Sequence, residues 1–145
     1  DALYSYSLQA LKDVQQMARR LLVNILLANG DSHLKNWSVI YTNPQLPSLS
    51  PAYDIVSTLP YVKDETEFAL NMAKNKNWYQ ANMASFETWS NRVGIPWQAI
   101  KVHLVDVMDS ARSQWPKLLK ELPMHQEHKE VLTRHWSLLH DDFRL

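Results

Sequence analysis

The sequence contains no cysteine, only two glycines and no excess of charge of either sign. The lack of cysteine excludes disulfides, thiolate metal sites and cysteine nucleophiles, and it favours a reducing, cytoplasmic location. Gly30 and Gly94 lie far apart, which excludes a Gly-rich phosphate loop in this chain. No apolar run approaches the about 20 residues of a membrane helix. A net charge of zero offers no general attraction to nucleic acid or to an anionic membrane.

The length and composition are those of one globular domain. The chain has 145 residues, of which 46% are hydrophobic and 21% are charged. A chain of this size buries roughly 70% of the surface that it exposes when unfolded, which is enough for a substantial core. The first residue is Asp1 and not methionine, so we expect the chain to be a piece of a longer protein.

The first half of the chain predicts one long helix and several short extended segments. Apolar residues recur at three- and four-residue spacing and predict a helix from about residue 5 to 29. Gly30 follows this pattern and is expected to end the helix in a left-handed cap. The segments after it are predicted as a strand at 37–41, a proline-rich loop at 42–51, weak extended pieces at 52–57 and 67–72, and an irregular loop at 73–82.

The second half predicts three helices. The first runs over residues 83–93 and is ended by Gly94, and the second begins near Trp97 and is kinked or ended by Pro116. A last helix is predicted from about residue 125 to 143. Its inward-facing residues are expected to be Val131, Leu132, Leu138, Leu139 and Phe143. The fold class is therefore predicted as mainly α, with a small β element beside a polar cluster.

The polar cluster is the stretch "NGDSHLKNW" at residues 29–37, where the apolar helix pattern stops. Phosphoryl transfer needs a carboxylate that orients or deprotonates the attacking hydroxyl, and oxygen ligands that hold Mg²⁺ on the phosphates. Asp31 and Asn36 lie five residues apart, and Asp54 follows downstream, which is the spacing that protein kinases use. The spacing alone leaves two interpretations open, because aspartate and asparagine are also common in turns and at helix ends.

Two segments taken together resemble the C-terminal lobe of the HipA-type toxin kinases. The family pattern D-x-H-x-K-N-[FW]-S, followed by P-x-Y-D-[IL]-[VI]-S, is matched by "DSHLKNWS" at 31–38 and "PAYDIVS" at 51–57. The likeness extends more loosely over residues 1–145, so the whole chain resembles this one lobe. The D-x-H-x-x-N core is also similar to that of the phosphoinositide kinases.

The resemblance implies an ATP-dependent serine/threonine protein kinase of a bacterial toxin–antitoxin system. Asp31 is then expected to be the catalytic base, and Asn36 and Asp54 are expected to bind Mg²⁺. His33 and Lys35 are expected to lie near the transferred phosphate, with pairing to a carboxylate as the alternative for Lys35. The implied partners are a protein substrate such as an aminoacyl-tRNA synthetase and a DNA-binding antitoxin of the HipB type.

The chain also departs from the family pattern. It has no Gly-rich loop and no strand lysine for the ATP phosphates, so we expect the N-terminal ATP-gripping lobe to be absent and this chain alone to be inactive. Two alternatives are a catalytically inactive protein-binding module and a relative that phosphorylates lipids or small molecules. No membrane and no direct nucleic acid binding are expected. The sequence predicts that His125, His128 and His135 are surface residues and not metal ligands.

Overall fold

The computed structural model describes the chain at residue 7 and over residues 9–62, 64–72 and 75–145. Over these ranges the fold is mainly α, as the sequence predicts, and the β content is two short antiparallel hairpins. None of the helices in the described ranges combines the length and the apolarity that crossing a membrane requires. The helices are α1 (Ala10–Leu26), α2 (Met83–Val93), α3 (Trp97–Glu121) and α4 (Gln126–Leu138), and the strands are β1 (Val39–Asn43), β2 (Leu46–Leu49), β3 (Glu67–Met72) and β4 (Asn75–Asn77).

Helices α1 and α3 pack against each other and form the centre of the core. Their apolar residues recur at helical spacing, and the sides that meet are almost completely excluded from solvent. Burial of each large aliphatic side chain contributes about 1.5–3 kcal/mol, so this contact fixes the direction of α1. The most deeply buried of these residues are Leu22, Ile25, Ile100, Leu104 and Met108.

The last turn of α1 is held by α4. Trp136 Nε1 donates a hydrogen bond to the Leu26 carbonyl oxygen, and His135 Nε2 donates one to the Ile25 carbonyl oxygen, both over 2.8 Å. The final carbonyl groups of a helix have no partner within the helix. Side chains of α4 therefore supply those partners inside the core.

The turn after α1 differs from the prediction at Gly30. The helix ends at Leu26, earlier than predicted, and the left-handed residue is Ala28, with φ of 52°. Gly30 is not left-handed, so the prediction that it forms the cap is wrong. Its lack of a side chain leaves room for Glu65, because a Cβ atom at Gly30 would overlap the Glu65 carboxylate.

The two hairpins follow the turn and are only partly predictable. Strands β1 and β2 pair with Val39 opposite Leu49, so the prediction of a loop throughout 42–51 is wrong. Both strands of a two-stranded sheet are edge strands, and such a strand tolerates Pro47. Strand β3 confirms the extended segment at 67–72, and β4 lies inside the predicted loop at 73–82, of which residues 73 and 74 fall outside the described residues. Residues 52–57 form no strand.

The second half agrees with the predicted helices, apart from the end of the last one. Gly94 ends α2 with φ of 76°, as predicted, and α3 continues past Pro116 to Glu121, so Pro116 does not end the helix. Helix α4 ends at Leu138, before the predicted residue 143. Leu138 is 51% exposed, so its predicted inward position is wrong, while Leu132, Leu139 and Phe143 are buried as predicted.

Candidate active site

The polar cluster begins within three residues of the end of α1 and continues into a single 3-10 turn at Leu34–Asn36. Because α1 is fixed in the core, the start of the cluster is fixed as well. Asn29 is completely buried, and the side chain of Asp31 is 46% exposed. The chain thus passes from the core to the surface within two residues and presents the Asp31 carboxylate to solvent.

The Asp31 carboxylate has two basic neighbours. His33 Nδ1 donates a hydrogen bond to Asp31 Oδ1 over 2.8 Å, and Lys35 Nζ lies 3.4 Å from the same oxygen. Desolvation acts to raise the pKa of the Asp31 carboxyl, but the hydrogen bonds and charges of His33 and Lys35 outweigh it and lower this pKa below its ordinary value. Asp31 is therefore ionised at neutral pH, as a residue that accepts a hydroxyl hydrogen must be.

Asn36 is joined to Asp31 through the backbone. Its Nδ2 donates a hydrogen bond to the Asp31 carbonyl oxygen over 2.8 Å. The bond uses the nitrogen of the amide and leaves Oδ1, the atom that binds hard cations, for another partner. The predicted pair of Asp31 and Asn36 is thus brought together in the fold.

Asp54 lines the same narrow cleft as Asn36, together with Arg20, Asn24 and Ser32. The cleft has a volume of about 10 Å³, roughly the space that one water molecule needs. Asp54 has φ of 54°, a left-handed conformation that aspartate adopts more readily than most residues other than glycine.

Two residues that line the cleft carry donor atoms of the kind that Mg²⁺ takes. An amide oxygen from Asn36 and a carboxylate from Asp54 are the hard ligands that Mg²⁺ takes, and Mg²⁺ commonly completes its shell with water and phosphate oxygens. Within the part of the chain that the structure describes, no group of three histidine, cysteine, aspartate or glutamate residues is placed to hold a metal ion. Two protein ligands do not fill the near-octahedral shell of Mg²⁺, so water or phosphate oxygens would have to supply the others.

His33 and Lys35 both lie at the surface. Their side chains are 56% and 65% exposed, and each is directed at Asp31. The Tyr53 hydroxyl, from the segment that carries Asp54, donates a hydrogen bond to the Lys35 carbonyl oxygen over 3.1 Å. In the structure, Lys35 pairs with the Asp31 carboxylate, which is one of the two arrangements expected from the sequence.

Two residues of the site were missed by reasoning from the sequence. Thr58 Oγ1 accepts a hydrogen bond from the Gly30 N–H over 2.8 Å and also donates to Glu65, and its own N–H donates to the Ala28 carbonyl oxygen. Asn29 bonds to both Asp31 and Asp54. One feature of the sequence could have indicated a role for Asn29, which is a polar residue directly after an apolar helix pattern. The sequence around Thr58 has no comparable feature.

The three histidines at the start of α4 and within it differ in how deeply they are buried. His125 is exposed and His128 is half-buried, in broad agreement with the prediction, but His135 is 1% exposed and its predicted surface position is wrong. Burial lowers the pKa of His135 to about 4, although its hydrogen bond to the Ile25 carbonyl acts to raise it. His135 is a neutral core residue, and α4 needs it to hold the end of α1.

Comparison with known proteins identifies the family. Residues 1–115 match the family of HipA-like C-terminal domains. The chain therefore belongs to the HipA-like C-terminal domain family.

Individual relatives agree with that assignment. The chain is 32% identical over 123 residues to "Putative kinase Y4dM" of Sinorhizobium fredii, which covers 85% of the chain and 30% of the relative. It is 23% identical over 109 residues to "Putative kinase Y4mE" of the same organism, covering 75% of the chain and 26% of the relative. The chain is also 43% identical over 51 residues to a "Putative kinase" of Haemophilus influenzae, which covers 35% of the chain and 15% of that relative.

A solved structure shows the same fold. The chain is similar, with a TM-score of 0.74, to a chain in the complex of Shewanella oneidensis HipA, HipB and its operator DNA. The match covers 94% of this chain and 32% of the other, at 19% sequence identity, so it shows the fold alone. The chain spans about a third of the length of Y4dM and of the Shewanella chain.

Proposed function

We propose that this chain is the C-terminal catalytic lobe of a HipA-type serine/threonine protein kinase, which transfers the γ-phosphoryl group of ATP to a protein hydroxyl. The observation that supports the proposal best is the convergence of Asp31, Asn36 and Asp54. Asn36 is bonded to the Asp31 backbone and lines one cleft with Asp54. These three residue types, in this arrangement, meet the needs of phosphoryl transfer.

Each of the three residues has a separate task in this proposal. Asp31, kept ionised by its two basic neighbours, accepts the hydrogen of the attacking hydroxyl and orients its oxygen. Asn36 and Asp54 hold Mg²⁺, which supplies neutralisation of the phosphate charge when it is bound. Most of the rate enhancement then comes from positioning and electrostatics, because the reaction needs no covalent intermediate on the protein.

His33 and Lys35 have a shared task near the transferred group. Both side chains lie within 3.4 Å of the Asp31 carboxylate, close to where a phosphate would approach the acceptor hydroxyl. We propose that they exchange part of their contact with Asp31 for contact with the phosphoryl oxygens. Such charge-assisted hydrogen bonds are among the stronger polar contacts in proteins.

The ATP-gripping groups belong to another part of the protein in this proposal. The relatives are about three times as long as the segment that matches this chain, which leaves room for a separate ATP-binding lobe. The similar Shewanella protein was solved with HipB and operator DNA, and this supports a DNA-binding antitoxin of the HipB type as a partner. We propose a cytoplasmic location and a protein substrate, with aminoacyl-tRNA synthetases as the first candidates.

The test is phosphate transfer by the complete protein that contains this lobe. Purified protein is incubated with Mg²⁺, γ-labelled ATP and candidate protein acceptors, and Asp31→Ala is compared with Asp109→Ala. Asp109 is an exposed aspartate of α3 and serves as the matched control. We expect Asp31→Ala to lower transfer at least about 100-fold, the usual contribution of a positioned base, and Asp109→Ala to leave it unchanged. Near-normal transfer by Asp31→Ala would contradict the proposal.

The same assay separates the alternatives. A protein-binding module without activity predicts no transfer by the unaltered complete protein under any condition. A lipid or small-molecule kinase predicts that transfer appears only when the protein acceptor is replaced by a lipid or small molecule.

A further inference from the structure

We infer that Asn29 is a positioning residue, which holds the loop of Asp31 and the segment of Asp54 at a fixed separation. The inference rests on the proposed function, because it concerns the geometry of the same site. Asn29 itself is completely buried and reaches neither the solvent nor a reacting group. It acts through the two functional residues that it contacts.

The side-chain amide of Asn29 bridges the two segments. Its Oδ1 accepts a hydrogen bond from the Asp31 N–H over 3.1 Å, and its Nδ2 donates one to the Asp54 carbonyl oxygen over 3.3 Å. The second hydrogen of Nδ2 is directed to Asn24 Oδ1 over 2.7 Å, and the Asn29 N–H donates to the Asn24 carbonyl oxygen over 2.9 Å. One side chain thus joins the end of α1, the base loop and the segment that carries a candidate metal ligand.

Asparagine suits this position for a chemical reason. The bridge needs an acceptor for Asp31 and donors for Asp54 and Asn24 within one short side chain, and only an amide offers both at this length. The position is closed to water, so water cannot replace a lost partner, and each unpaired group would stay desolvated. Aspartate would lack the donor, and leucine would lack both groups.

The partners of Asn29 give the bridge a functional consequence. The bonds end on the backbone of Asp31 and of Asp54 themselves, so a shift of Asn29 moves both side chains relative to each other. A displacement of about 1 Å in a catalytic site can cost about 100-fold in rate. Outer-shell partners of metal ligands typically influence metal affinity by about 10- to 100-fold.

Ser90 offers a control of the same burial. It is completely buried in α2, and its Oγ donates a hydrogen bond to the Glu87 carbonyl oxygen over 2.9 Å. Among the described residues, Ser90 does not line the cleft of Asn36 and Asp54 and does not bond to Asn29. Ser90→Ala therefore removes a buried hydrogen bond while the bridge between the two segments stays in place.

The experiment uses the complete protein and measures both metal binding and turnover. Mn²⁺ affinity is measured by electron paramagnetic resonance in the presence of a non-hydrolysable ATP analogue, and kcat and KM for ATP are measured with Mg²⁺. We expect Asn29→Ala to weaken Mn²⁺ binding about 10-fold or more and to lower kcat about 100-fold, with a smaller change in KM. We expect Ser90→Ala to change these quantities less than about 3-fold, although it also lowers stability. Equal effects of the two variants would overturn the inference.

A measurement on the unaltered protein covers the case in which Asn29→Ala does not fold. The Asp31 amide is held by Asn29 Oδ1, so its hydrogen exchange should be slow although Asp31 lies at the surface. Exchange at the rate of a free loop amide would overturn the inference. The two proposals fail differently, because absence of phosphate transfer counts against the proposed function, whereas unchanged Mn²⁺ affinity in Asn29→Ala counts against the bridge alone.

Discussion

The Asn36 side chain lies 2.8 Å from the Asp31 carbonyl oxygen and donates a hydrogen bond to it. The bond closes the loop between the candidate base and the candidate metal ligand. Asn36 therefore has two tasks, one for each end of its amide. Substitutions at this residue can separate the two tasks.

Asn36→Ala removes both ends of the amide, whereas Asn36→Asp keeps an oxygen for the metal and loses the donor to Asp31. We expect each substitution to lower the free energy of unfolding by about 1 kcal/mol, the ordinary contribution of one hydrogen bond. Mn²⁺ affinity with an ATP analogue is expected to fall strongly in Asn36→Ala and much less in Asn36→Asp. Unchanged Mn²⁺ affinity in Asn36→Ala would remove Asn36 from the metal site.

Gly30→Ala tests how closely the Glu65 carboxylate approaches Gly30. A Cβ atom at Gly30 would meet the Glu65 carboxylate, which would have to leave the Thr58 hydroxyl to which it is bonded. We expect Gly30→Ala to lower the free energy of unfolding by about 1–2 kcal/mol, and to cost much less in a Glu65→Ala background. Urea unfolding of the two single variants and the double variant measures this coupling. Additive effects would show that the clash is not the cause.

Gly94→Ala tests a different property of glycine. The residue ends α2 with φ of 76°, and a Cβ atom there would meet nothing within 4 Å. The cost is therefore conformational, and we expect a loss of about 1 kcal/mol with no dependence on neighbouring side chains. Gly94→Asn is expected to cost less, since asparagine also occurs at this position of a helix end. Thermal unfolding of both variants measures the difference, and a cost in Gly94→Asn as large as in Gly94→Ala would contradict it.

His135 is predicted to make the fold sensitive to acid. Burial lowers its pKa to about 4, whereas an unfolded chain takes up this proton near pH 6.5. The unfolded state therefore binds the proton first as the pH falls, so stability is lost between about pH 6.5 and 4, up to about 3 kcal/mol in total.

The measurement for His135 is urea unfolding at several values between pH 7 and 4.5. His135→Gln has no group that titrates there, and we expect it to be less stable at pH 7 but to show a shallower decline with pH. Equal declines in the two proteins would assign the acid sensitivity to other groups.

The sequence predicts the parts of the site that depend on local pattern. Asp31 and Asn36, five residues apart in the sequence, are in direct contact in the structure. The short 3-10 turn at Leu34–Asn36 brings the Asn36 side chain back to the Asp31 carbonyl group. The order of helix, loop and strand predicts that Asp54 returns beside Asn36. In the structure the two residues line one cleft, and the Asp54 carbonyl oxygen accepts a hydrogen bond from Asn29, three residues after the end of α1.

The parts that the sequence does not predict depend on distant contacts. Strand β2 contains a proline, and it becomes a strand only through pairing with β1. Gly30 follows the helix pattern and suggests a helix cap. The structure instead explains the glycine by the close approach of Glu65, which lies 35 positions further along the chain. His135 carries no sign in the sequence that the core will enclose it, because its partner Ile25 lies 110 residues away.

The bonds from α4 to the end of α1 have a consequence for how much of the chain acts as one folding unit. The match to the family ends at residue 115, inside α3, yet the carbonyls that precede the loop of Asp31 are held by His135 and Trp136. A chain cut at residue 115 would keep every candidate site residue. It would lose the two hydrogen bonds that hold the end of α1, from which the loop of Asp31 begins. The residues that match the family are therefore fewer than the residues of the cooperative folding unit that holds the loop of Asp31.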